Sequence, residues 1–62
     1  MPLITETNIA DPDSIYERLI MLHEGCDEEE SMRINARLIL LLINHIGDTQ
    51  VIGEAIDCAA RR

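Results

Sequence analysis

Between Asp27 and Gly47 the chain carries a helix-like segment that is apolar almost all the way round. On a 3.6-residue wheel, Met32, Ile34, Ala36, Leu38, Ile39, Leu42, Ile43 and Ile46 fill most of the circle. Glu30, Arg33, Arg37 and Asn44 make one narrow polar stripe, and Leu40 and Leu41 flank it closely. The apolar arc is roughly 260° wide, against ~100° or slightly more for an ordinary surface helix. A helix of that kind needs cover on most sides. Positions 28–46 would make a rod of roughly 28 Å at 1.5 Å per residue. Whatever fold forms must bury this rod.

The rest of the sequence supplies two shorter helices. Asp11 is a good N-cap, and Pro12 fits the first helical position, where its missing N–H is not needed. Ile15, Tyr16, Leu19, Ile20, Leu22 and His23 then share one face, up to a stop at Gly25. This predicts a first helix over 12–24. Asp27, with Glu30 three residues on, starts the second helix, over 28–46, and Gly47 ends it. Asp48 caps a third, over 49–60, with Val51, Ile52, Ala55, Ile56, Cys58 and Ala59 on its apolar face and Glu54 and Asp57 facing outward. Arg61 and Arg62 complement its negative end. Residues 1–10 read as an arm without strong periodicity. The expectation is a single all-α domain over 1–62. Links of two or three residues favour antiparallel neighbours, hence an up-down-up three-helix arrangement.

Two flanking helices of roughly 18 Å cannot cover a rod of roughly 28 Å. The 62-residue chain is also at the size where a lone core is marginal, burying only about 60% of its unfolded surface. Its core must be built without Phe or Trp and with one Tyr. The uncovered arc therefore points to a second chain, with a homo-oligomer, a dimer first, as the leading solution and a hetero-protein partner as the other; the remaining alternative is a monomer whose terminal arm folds back over the patch. The interface would take Asn35, Leu38, Ile39, Leu41, Leu42, Ile43 and Ile46. A glutamate at Leu41 or Ile39 should then dissociate the assembly. Asn35 lies inside the arc and reads either as a register-setting interface residue or as an amide bonded within its own chain.

Charge excludes other classes. The net charge is −7 and every one of the five cations is Arg. Nucleic acid wants a basic face, and so does an anionic membrane surface. The longest purely apolar run, residues 38–43, is far short of the ~20 residues that cross a bilayer. No basic-then-apolar leader opens the chain, so a cytoplasmic location with reduced thiols is expected.

Few residues carry chemistry. His23 and Cys26 have a metal-like spacing, and an up-down-up trio would bring Cys58 near them; this is the alternative reading, a small metal- or ligand-binding module. Structural zinc wants four ligands, and no C-x-x-C pair is present, so no metal or cofactor is expected. His23 reads instead as a partly buried histidine beside Tyr16, Leu19 and Ile20, and Cys58 as a small core residue. His45 sits where an imidazole meets the negative end of the second helix. Glu28, Glu29 and Glu30 diverge by about 100° each and form no cage; pairs of Glu29 and Glu30 with Arg33 are the expectation. No nucleophile–base pair and no phosphate loop is visible, so the chain reads as no enzyme.

Residues 8–48 carry a resemblance. The segments are Asn8-Ile9-Ala10-Asp11-Pro12-Asp13, then Tyr16-Glu17 and His23, then Asn35-Ala36-Arg37-Leu38-Ile39-Leu40-Leu41-Leu42, and Asn44-His45-Ile46-Gly47-Asp48. Together they cover about two thirds of the chain, and it resembles a family of short bacterial proteins of unknown function. That family brings no reaction, cofactor or binding residue. The resemblance implies an accessory subunit of a larger enzyme, a flavin-dependent aromatic hydroxylase, beside which such proteins are encoded. It also points to Tyr16, His23, Arg37, Asn44 and His45, beside Asn35, as the polar set for interface specificity.

Overall fold

A computed structural model of the chain describes residues 2–61. It contains three helices and, among the described residues, no strand: α1 Pro12–Leu22, α2 Glu28–Ile46 and α3 Thr49–Ala60. The protein is all-α.

Each helix begins where an aspartate can cap it. Asp11 accepts from the Ser14 N–H at 3.1 Å, Asp27 from Glu30 N–H at 2.8 Å, and Asp48 from Gln50 and Val51 N–H at 3.0 and 3.2 Å. These bonds satisfy donors that a helix start otherwise leaves unpaired. The end of α2 is set by Gly47, at φ +66°, whose N–H donates to the Ile43 carbonyl at 2.9 Å. Only glycine holds that left-handed conformation without cost.

α1 ends two residues earlier than the sequence pattern predicts. His23 and Glu24 leave the α ladder and donate instead to Ile20 O and Met21 O, three residues back, at 3.1 and 3.2 Å. His23 Nδ1 donates to the Leu19 carbonyl at 2.8 Å. The side chain thus satisfies a last-turn carbonyl that a continuing helix would have filled from the backbone.

The arm is anchored at one point. The Leu3 N–H donates to Glu54 Oε2 at 2.7 Å, and both residues are half-buried. Glu54 therefore does not face outward, as its place on the wheel predicts; it receives the arm. The placing of Arg62 at the end of the third helix lies outside the described residues, and so does Met1 of the arm.

The three helices stay open. No two of them approach closely along their length. The Cα radius of gyration is 13.3 Å, where a compact domain of this length has about 10.6 Å. Among the described residues none is fully buried. The cause lies in the side chains. α3 faces the groove with Ala55 and Ala59 between Val51, Ile52 and Ile56, and no aromatic ring except that of Tyr16 is available to fill the space.

Candidate functional site

The apolar residues of α2 are shared among three surroundings. Leu38 lies with Ile15, Leu19 and Leu22 of α1 in a cleft of about 280 Å3 that Arg18 also borders. Ile39, Leu42, Ile43 and Ile46 form one wall of a groove of about 390 Å3. Its other wall comes from α3: Val51, Ile52, Ala55, Ile56 and Ala59. Leu3 of the arm closes the rim. Every residue lining this groove is apolar. Leu40 and Leu41 belong to neither space and are 65% and 69% exposed.

The total surface states the same thing as an area. A folded monomer of 7.0 kDa exposes about 4,000 Å2. This chain exposes 5803 Å2, an excess of about 1,800 Å2. Large apolar side chains contribute to it, among them Ile39, Leu40, Leu41, Leu42 and Ile46 of α2, each more than half exposed.

Of the polar residues singled out by the sequence, the structure joins two. His23 Nε2 meets Asn35 Oδ1 at 2.8 Å, while Nδ1 donates to Leu19 O. A protonated ring donates at both nitrogens; a neutral one needs the amide turned so that its Nδ2–H donates to Nε2. In both states this bond ties the end of α1 to the second turn of α2. Asn35 is bonded within its own chain, the plainer of its two expected roles. Tyr16, Arg37, Asn44 and His45 are exposed and do not join this pair. The Glu29–Arg33 pair forms at 3.0 Å on the open surface, where such a pair contributes little.

The thiols stay apart. Cys26 is half-buried, its Sγ 3.9 Å from the Leu22 carbonyl. Cys58 is exposed and not part of a core; it borders a shallow space with Thr5, Asp57 and Arg61. Among the described residues, no group of three or more His, Cys, Asp or Glu side chains gathers as a metal would require. The convergence of His23, Cys26 and Cys58 needs a closed trio of helices, and the trio is open. Among those residues too, no helix is long and apolar enough to cross a membrane.

Sequence reasoning allowed the arm to fold back over the apolar arc but did not single out Leu3, and it underrated α3. Leu3 stands in a polar arm with no period to mark it. The α3 face was legible, but as cover for α2 and not as the second wall of an open groove.

Searches among curated proteins and among solved structures find no match. A family model matches residues 3–61, nearly the whole chain. It spans the arm at Leu3, the three capped helices and the groove between α2 and α3, and the chain belongs to that family, described as a protein of unknown function (DUF2783).

Proposed function

We propose that this protein is a non-catalytic interaction module that self-associates through the apolar arc of α2, most simply as a homodimer. The up-down-up order of the helices would then be completed by the second copy, which supplies the core that one chain lacks. The observation that carries this reading is the excess of exposed surface, with no residue buried among those described. Covering about 1,800 Å2 on each of two copies would remove roughly 3,500 Å2 in all, within the range of obligate homodimers.

Light scattering on a sizing column, across a hundredfold dilution, tests it. The expected mass is twice 7.0 kDa or a higher multiple, held at the upper concentrations. A well-folded monomer at every concentration would overturn the proposal. In that case a hetero-partner, such as the larger enzyme implied by the resemblance, would become the leading cover for α2. A capture from native lysate with the purified chain would look for it.

A further inference from the structure

Self-association leaves a choice of seam and direction, and the structure discriminates between them. On α2, Met32, Ala36, Ile39, Ile43 and Ile46 recur at alternating intervals of four and three residues. That is the spacing of a helical seam which packs against another helix. Three of these residues, Ile39, Ile43 and Ile46, already wall the groove shared with α3. Across the groove, Ala55 and Ala59 stand one turn apart. Small side chains at that interval let a further helix approach closely. The groove thus offers an apolar wall, a low floor and about 390 Å3 for side chains from outside.

Charge fixes the direction. α2 and α3 are joined through Gly47 and Asp48 as a splayed hairpin whose two arms wall the groove. Its open end carries Asp27, Glu28, Glu29 and Glu30 at the start of α2, while the shorter α3 ends with Asp57 and the cation Arg61. Its turn end carries His45 and a single acid, Asp48. Two hairpins packed in parallel would set the two acidic runs side by side. The Glu29–Arg33 pair within the run, on the open surface, offsets little of that repulsion. Packed antiparallel, the runs lie apart by about the length of α2, roughly 28 Å. That is more than three screening lengths at physiological salt, ~8 Å each. The antiparallel order also sets each positive helix start near the partner's negative helix end.

We infer that the α2–α3 groove takes the α2–α3 hairpin of a second copy, run antiparallel to the first, to form a four-helix core. The inference rests on the self-association proposed above and adds its seam and direction.

A spin-label distance measurement tests the direction on the full chain. The label goes on Glu28→Cys in a Cys26→Ser, Cys58→Ser background, in a sample whose scattering mass is dimeric. The antiparallel core predicts a separation of about 28 Å or more, from the rise of α2 on either side of the twofold axis. A separation under about 20 Å in a dimer means parallel hairpins and overturns the inference while leaving self-association intact. A monomeric mass overturns both. Ala55→Glu tests the seam: it should bring the mass down from the dimer to the single chain. A full dimer in that variant places the seam elsewhere.

Discussion

At the scale of single residues, Ile39 and Leu41 separate the middle of the apolar arc from its edge. Ile39 walls the groove; Leu41 stands outside it, 69% exposed. A glutamate at Ile39 would leave an unpaired carboxylate in a dry seam, a cost of several kcal/mol. Ile39→Glu should therefore abolish the dimer at micromolar concentration. Leu41→Glu removes one leucine from the flank, worth about 1.5–3 kcal/mol at most. It should weaken association by about ten- to a hundredfold, leaving a dimer that forms at higher concentration. Sedimentation of the two variants side by side checks the order, and equal effects would contradict it. The bond between His23 and Asn35 has a different task. It fixes where α1 leaves α2, and so decides how much of α2 its own chain can reach.

At the scale of elements, the helices are set by local chemistry. Gly47→Ala puts a side chain on a residue at φ +66°, where its Cβ would meet only the Asn44 carbonyl, at 3.8 Å. The space is ordinary, so the cost is conformational, about 1 kcal/mol. A urea titration at fixed chain concentration should show that loss, and an unchanged midpoint would mean that the turn can re-form another way. Because such features are local, they were legible: Asp11, Asp27 and Asp48 announce three helix starts, and Gly47 announces a stop. The end of α1 was not legible, because it depends on a histidine side chain reaching back to Leu19. Nor was the anchoring of Leu3 on Glu54, which joins positions far apart in the chain. The candidate surface was half visible. The width of the arc on α2 follows from composition alone, but its division into an α1 cleft, an α3 groove and an open flank depends on how far the helices splay.

At the scale of the whole molecule, the proposed association would have to work against charge. Each copy brings −7 to the assembly. Raising the salt from ~0.01 M to ~0.15 M shortens the screening length from ~30 Å to ~8 Å. The dimer should therefore tighten with salt over that range; a dissociation constant that rises would mean that attractive ion pairs hold the copies together. The want of any buried residue among those described has a further consequence. If the copies associate as proposed, a chain without an interior of its own would have little unimolecular folding: acquiring structure and finding a partner would be one event of second order. Its amide hydrogens would exchange with solvent at a rate set by how much protein is present, and the melting temperature would climb with concentration. Abundance would then act as a switch, with scarce chains open to proteases and plentiful ones shielded.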